Sequence, residues 1–194
     1  MLNKLNNQLK EIFPLKCGEI LIKQTTAKDL LAFKKEIKDI DMNIMTCRPV
    51  KIRNDEESLE LFESIIKNEN NFLLGLYSID NESKEYEIIG RISFYDYNSR
   101  NKSVELGYVL RSKFMKKGYM RRSLKEVCRA ILEETEINKI YAQTGSFNSS
   151  SIKLLMSLVF KRDAVLRQHH EFEGKLWDDY IFSLLKEDYI EISD

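Results

Sequence analysis

Residues 105–127 read ELGYVLRSKFMKKGYMRRSLKEV, and this stretch decides how the chain is organised. Its opening, Ser103–Leu110, has strand character: Val104, Leu106 and Tyr108 fall on one face and Glu105 on the other. Its end has helical spacing. Over 118–135 the residues Met120, Leu124, Val127, Cys128 and Ile131 recur at intervals that line one helix face. Between strand and helix lies a turn containing Gly118. From Arg111 to Lys125 the segment holds seven bases (Arg111, Lys113, Lys116, Lys117, Arg121, Arg122 and Lys125) and no acid. The whole chain balances 31 Lys and Arg against 31 Asp and Glu, so the positive field is local. A helix start presents unpaired N–H groups and the positive end of the helix dipole, which together attract an anion. The dipole adds about 0.3–1 kcal/mol, and Gly118 lets a ligand approach the backbone closely. A polyphosphate fits this pattern. A solvated basic helix face fits it too. A nucleic-acid patch lacks the aromatic interleaving such a surface uses.

Working outward toward the N-terminus, Phe72–Ile79 and Glu87–Tyr97 read as strands. The separators NESKE (81–85) and NSRNK (98–102) have hairpin length, so a three-stranded antiparallel meander precedes the basic segment. Residues 57–67 and the segment after Thr26 read as helices, the latter with Asp29 in its first turn and Leu30, Leu31, Phe33, Ile37 and Ile40 along one side. Glu19–Gln24 reads as a strand. Residues 2–13 form a short leading helix carrying Leu2, Leu5, Leu9, Ile12 and Phe13 and ending at Pro14. It packs on the domain edge or supplies a dimer contact.

Toward the C-terminus, Lys139–Thr144 reads as a strand and 148–158 as a helix with Asn148 or Ser149 as N-cap. Val159–Leu166 and Trp177–Leu185 read as strands. Strand and helix alternation argues for partly parallel pairing in this half. The fold class is therefore α/β with one mixed sheet, an antiparallel meander followed by partly parallel strands, and about four helices plus the leading one. No GxGxxG follows a strand, which excludes a Rossmann domain. The 194 residues contain no Gly- or Pro-rich linker, so 15–190 reads as one domain with 1–14 as a helical extension. No run of 18 apolar residues is present, so no membrane partner is expected. Three cysteines, an odd number, make no disulfide framework, and a cytoplasmic location is expected.

At this point a resemblance is apparent. The run 105–127 is similar to the pyrophosphate-binding motif of the GNAT superfamily of N-acetyltransferases, and most similar to its ribosomal-protein, RimJ/RimL-like branch. That branch reads E-x-G-Y-x-L followed by G-K-G-Y-A/M-T-E-A-L. Downstream, FNSSSIKLLMSLVFKRDAVLR (147–167) resembles its N-x-x-S-x-x-x-L-x-K-L-G-F motif. EGKLWDDYIFSLLKEDY (173–189) resembles its closing N-G-x-x-x-D-x-x-x-Y-S-L-L. The opening IFPLKCGEILIKQTTAKDL (12–30) is similar to its first strand and helix. The resemblance covers about residues 13–189 and implies a mixed sheet of six or seven strands with four helices. It departs from the family at three places: Lys116 stands at the first loop glycine, Arg121-Arg122-Ser123 replaces T-E-A, and Val159 replaces the glycine before Phe160.

The resemblance implies acetyl transfer from acetyl-CoA, a co-substrate, to a primary amine: a protein N-terminal α-amine, an amino acid or a small amine. The pyrophosphate would lie on amides of Lys116, Lys117, Gly118, Tyr119 and Met120, with Arg111, Lys116, Lys117, Arg121 and Arg122 as phosphate contacts. Amides around Tyr108, Val109 and Leu110 would pair with the pantetheine arm, and Asn148 would touch it or cap its helix. Glu105 is the candidate base and Ser151 the candidate acid for the leaving thiolate. The tyrosine used by many relatives four residues after that serine is Leu155 here. Asp178 matches a family acid with a structural role. An amine must be unprotonated to attack. At pH 7 an α-amine is about 10–20% free and a lysine amine well below about 1%, so an α-amine is favoured unless a strong base assists. The acid-rich run Asp55–Glu69, beside the expected acceptor site, suggests a cationic acceptor or simply a solvated helix. His169 and His170 are adjacent in a strand and point to opposite faces, so no metal is expected. A non-catalytic acyl-CoA-binding or protein-interaction module with the same fold is the alternative reading. The chain is expected to act as a monomer or homodimer.

Overall fold

Eight strands form a single sheet in the order β1-β2-β3-β4-β5-β6-β8-β7. They are β1 (Leu15–Cys17), β2 (Ile20–Gln24), β3 (Phe72–Ile79), β4 (Tyr86–Asn98), β5 (Ser103–Leu110), β6 (Lys139–Gly145), β7 (Lys161–Phe172) and β8 (Lys175–Leu185). The helices are α1 (Leu5–Leu9), α2 (Ala27–Glu36), α3 (Asp55–Lys67), α4 (Tyr119–Glu134), α5 (Ser149–Ser157) and α6 (Lys186–Ser193). A computed structural model describes residues 5–38, 46–47, 51–79 and 86–193. Leu2, Ile40 and the NESKE separator lie outside the described residues. This is the mixed α/β architecture expected from the sequence.

Period-two alternation builds the two faces of the sheet. In β3, Phe72, Leu74 and Leu76 enter the main core, with Ile92 and Phe94 of β4, Val104 and Leu106 of β5 and the inner face of α4. Leu73 and Tyr77 point the other way, against Leu30 and Phe62 and against Phe33 and Ile37. Helices α2 and α3 therefore cover one face, and α4 and α5 the other. Met120, Leu124, Val127, Cys128 and Ile131 of α4 are all buried, as their spacing requires. Thr26 and Asp29 form a capping box at α2. Asn54 and Glu57 form a second one at α3, so that helix starts two residues earlier than expected.

The second half is partly parallel, as expected: among the described residues β5 and β6 are parallel, and β6–β8 and β7–β8 are antiparallel. The expected strands 159–166 and 177–185 are longer, and meet in a tight hairpin at Glu173 and Gly174, both with positive φ. β7 is the sheet edge, and its course RQHHEF, mostly polar and exposed apart from the buried His170, carries little apolar signal. The three-residue β1 and the terminal α6 also lack a signal strong enough to read. Leu9 of α1 is fully buried in the main core. Among the described residues, no helix is long and apolar enough to cross a membrane.

Candidate functional site

The parallel pairing of β5 with β6 lasts only from Ser103↔Lys139 to Glu105↔Tyr141. β5 runs on to Leu110 and β6 to Gly145, and the two separate. Beyond Glu105 the backbone of β5 has no sheet partner on its β6 side among the described residues. N–H and C=O groups along Gly107–Leu110 are thus left on the wall of a wedge, and unpaired backbone groups need a partner. Tyr108, Val109 and Leu110 all lie on this wall, with the Leu110 side chain buried.

Just past the end of β5, a 3-10 turn (Ser112–Phe114) leads into α4. Lys116 has φ +61° and Gly118 φ +77°, both left-handed. The loop keeps a left-handed turn at Lys116 although the glycine is gone, at a cost of about 1–2 kcal/mol for a residue with a Cβ. Gly118 is the N-cap, without a side chain to cap the helix, and the first helical bond runs from Arg122 N–H to its carbonyl. The amides of Tyr119, Met120 and Arg121 are left as the usual orphans of a helix start. Met120 contributes only its amide, because its side chain is in the core.

The bases around this turn divide into two sets. Arg111 is 6% exposed, and its guanidinium bonds Glu87 and, at 2.5 Å, Glu36. It anchors β5 to β4 and α2 and does not join the others at the loop. Lys113 bonds Glu87 at 2.9 Å and Arg122 bonds Glu19 at 3.0 Å. Burial works to raise the Glu87 pKa, but the bonds from Lys113 and Arg111 outweigh it and hold the carboxyl below its ordinary value. Lys116, Lys117, Arg121 and Lys125 have no carboxylate partner among the described residues. Lys113 and Lys117 also sit over the Phe114 ring, at 5.0 and 5.5 Å. Arg121 donates to the Ser157 hydroxyl and carbonyl at 3.2 and 3.3 Å, tying the start of α4 to the end of α5.

Across the wedge, the Tyr108 hydroxyl lies 2.7 Å from Ser151 Oγ. Asn148 caps α5, its Oδ1 accepting from Ser151 N–H at 3.1 Å, and this fixes the serine. Burial pushes the Tyr108 phenol up to about 12, so it holds its proton at neutral pH. The sequence reading used Tyr108 only for its backbone, because the familiar tyrosine position on α5 is Leu155. The same burial pushes the Cys128 thiol up to about 12, which removes it as a nucleophile. The Gly-to-Val change at Val159 is accommodated in a Schellman turn, with Phe160 N–H bonding Leu155 O and Val159 at φ +60°.

The opposite face of β5 floors a cavity of about 460 Å³. Glu105 lines it, with Gly107 and Val109, and Arg91, Ser93 and Tyr95 of β4 stand beside them. Glu105 and the Tyr108–Ser151 pair thus lie on opposite faces of one strand, as alternation demands. At the rear of the cavity Gln143 Nε2 donates to Asp179 Oδ2 at 2.7 Å. Asp179 is fully buried, and His170 Nδ1 approaches its other oxygen at 3.3 Å. Cys47 completes a group of three potential metal ligands, which the sequence did not suggest because the residues are remote in the chain. A closed zinc site takes four ligands, and this cluster supplies three. His169 is exposed on the other face, as expected. Asp178 accepts from Gln168 N–H at 2.9 Å and stabilises an irregularity in β7, a structural role.

The chain has known relatives. The chain is 34% identical over 103 residues to the uncharacterized N-acetyltransferase p20 of Bacillus licheniformis, covering 53% of this chain and 58% of that protein. It is 25% identical over 100 residues to the uncharacterized N-acetyltransferase YoaA of Bacillus subtilis (strain 168), covering 52% and 56%. The matches thus span little more than half of either relative. Spermidine N-acetyltransferase from Vibrio cholerae, solved with CoA and spermine, superposes with a TM-score of 0.77 at 15% identity, covering 89% of this chain and 98% of that one. A putative acetyltransferase of known structure gives 0.71 at 19% identity, covering 93% and 91%. At such identities the likeness concerns the fold. The acetyltransferase (GNAT) domain family model matches residues 19–161, and the chain belongs to that family.

Proposed function

We propose that the protein transfers an acetyl group from acetyl-CoA to a primary amine, with an α-amine as the preferred acceptor. The observation that carries this reading is the wedge between β5 and β6, flanked by a basic helix start at one end and a hydroxyl pair on one side. The residues fit the co-substrate. The unpaired β5 edge matches the amides of a pantetheine arm. The amides of Gly118 to Arg121 and the unpaired Lys116, Lys117 and Arg121 match its pyrophosphate. Arg111 is left as a structural ion-pair residue, since its charge is already taken by Glu36 and Glu87.

Acetyl-CoA supplies the acyl group and a thiol leaving group. Glu105 receives the proton that the amine loses as its nitrogen bonds the acyl carbon. Backbone N–H groups near Tyr108 polarise the carbonyl oxygen. As the carbon–sulfur bond breaks, the Ser151–Tyr108 hydroxyl pair donates a proton to the departing sulfur. The neutral phenol suits that donation. The resemblance to the RimJ/RimL-like branch supports a protein N-terminus among the acceptors, and the domain is taken as 15–190.

The test is thiol release on a panel of α-amines, with Glu105→Gln alongside. The substitution should lower kcat/KM about 10²–10⁴-fold and leave the acetyl-CoA Kd unchanged. Turnover equal to the parent removes Glu105 as base. Tight acetyl-CoA binding with no turnover on any amine supports the non-catalytic module instead.

A further inference from the structure

The acid-rich run Asp55–Glu69 does not make the acceptor cavity acidic. Asp55, Glu56, Glu57, Glu60 and Glu63 are all exposed on α3. The face that α3 turns to the cavity carries Ser58, Leu61, Phe62 and Ile65. Amphipathic spacing sends the carboxylates to solvent. The residues charged at neutral pH that line the cavity are, among the described residues, Lys34, Lys51, Arg53 and Arg91, against Glu105 as the one carboxylate. They come from α2, the segment before α3, and β4, so only the tertiary fold assembles them.

Two of these observations point to a ligand. No carboxylate pairs with Arg91 among the described residues. Beside it, Ser93 is 1% exposed, and its hydroxyl has no hydrogen-bond partner among the described residues. A buried hydroxyl without a partner carries a desolvation cost that a bound polar group can remove. The ladder sets the spacing. Arg91 is opposite Val109, Ser93 opposite Gly107 and Tyr95 opposite Glu105, all on the cavity face. Ser93 therefore lies two residues along the strands from the level of Glu105, about 7 Å. Lys34 donates to Ser58 Oγ and Arg53 O, which holds its ammonium on the cavity wall.

We infer that the acceptor is an amine bearing a carboxylate, which Arg91 and Ser93 bind while the amine reaches Glu105. An α-amino acid with an acidic side chain, or a peptide beginning with one, holds a carboxylate a short distance from its amine and can address both levels of the strand. A polyamine would bring several ammonium groups into a positive cavity and is disfavoured. The inference rests on the acetyl-transfer reading.

Calorimetry on the CoA-saturated protein tests it with three probes: L-glutamate, a tripeptide with N-terminal glutamate, and spermidine. One or both acids should bind and release thiol from acetyl-CoA, and spermidine should do neither. Arg91→Met, which keeps the aliphatic stem, should weaken the acids about 10–100-fold with the CoA Kd unchanged. Ser93→Ala should weaken them several-fold without lowering Tm, because the hydroxyl has no partner among the described residues. Preference for the free amino acid or for the peptide identifies the source of the carboxylate. Tighter binding of spermidine, acid binding that Arg91→Met leaves intact, or no binding of either acid each overturns the inference. If the parent protein fails to bind CoA at all, the acetyl-transfer reading itself is at fault. Intact CoA binding with these outcomes faults the inference alone.

Discussion

Gly118 separates the energetics of folding from those of binding. It has φ +77°, and a Cβ added there meets nothing within 4 Å. Gly118→Ala therefore costs only backbone strain, about 1–2 kcal/mol for a left-handed residue. Alanine returns about 0.4–1 kcal/mol by restricting the unfolded chain. The net loss is about 1 kcal/mol, or about 2–4 °C in Tm for a domain of this size. Binding should respond far more. The open space that admits a Cβ in the free protein is the space a pyrophosphate needs to reach the orphan amides of Tyr119, Met120 and Arg121. Gly118→Asp adds a carboxylate at that point. Two unit charges about 4 Å apart repel by about 4 kcal/mol at an effective dielectric of about 20. The acetyl-CoA Kd should rise at least about 100-fold for Gly118→Asp, measured by calorimetry beside thermal unfolding of the same samples. A variant that melts a few degrees lower yet binds acetyl-CoA like the parent refutes the placement of the phosphates on this helix start.

Two further outcomes are expected. Tyr108→Phe should lower kcat about 10²-fold with little change in the acetyl-CoA Kd. It should also change alkaline stability. The folded phenol is raised from its ordinary value of about 10 to about 12, so its contribution is complete below pH 10 and is lost as pH rises toward 12. Denaturant titrations of parent and variant from pH 8 to 11.5 should show a decline in the parent that is shallower in the variant. Lys116→Gly relieves the left-handed strain at φ +61° and should raise stability by about 0.5–1 kcal/mol, after the entropy cost of glycine. Its acetyl-CoA affinity should fall in a salt-dependent way, because one unpaired charge at the loop is gone.

Much of this protein was legible from residue order. The meander over 72–110, the helix start at Thr26 with Asp29 in its first turn, and the buried face of α4 all follow from local periodicity and side-chain chemistry, which act within a few residues. The turn at Gly118 and the basic run were readable for the same reason. Pairing was less so. β7 carries polar residues along an exposed edge, and its antiparallel return beside β8 depends on which strand edge is free, a property of the assembled sheet.

The sequence by itself determined the meander, the helices from α2 to α5, the family resemblance and the candidate anion site, because each is written in contiguous residues. The tertiary structure alone decided which charges are available. Of the seven bases in 111–125, it neutralised Arg111 with Glu36 and Glu87 from distant elements and left Lys116, Lys117, Arg121 and Lys125 without a carboxylate partner among the described residues. It brought the Tyr108 phenol to Ser151 across 43 positions of chain. It turned the acids of α3 to solvent and set Arg91, Ser93 and Glu105 on one cavity floor. Burial and pairing are long-range quantities, fixed only when remote segments meet, and they convert a list of ionisable residues into a site with a sign.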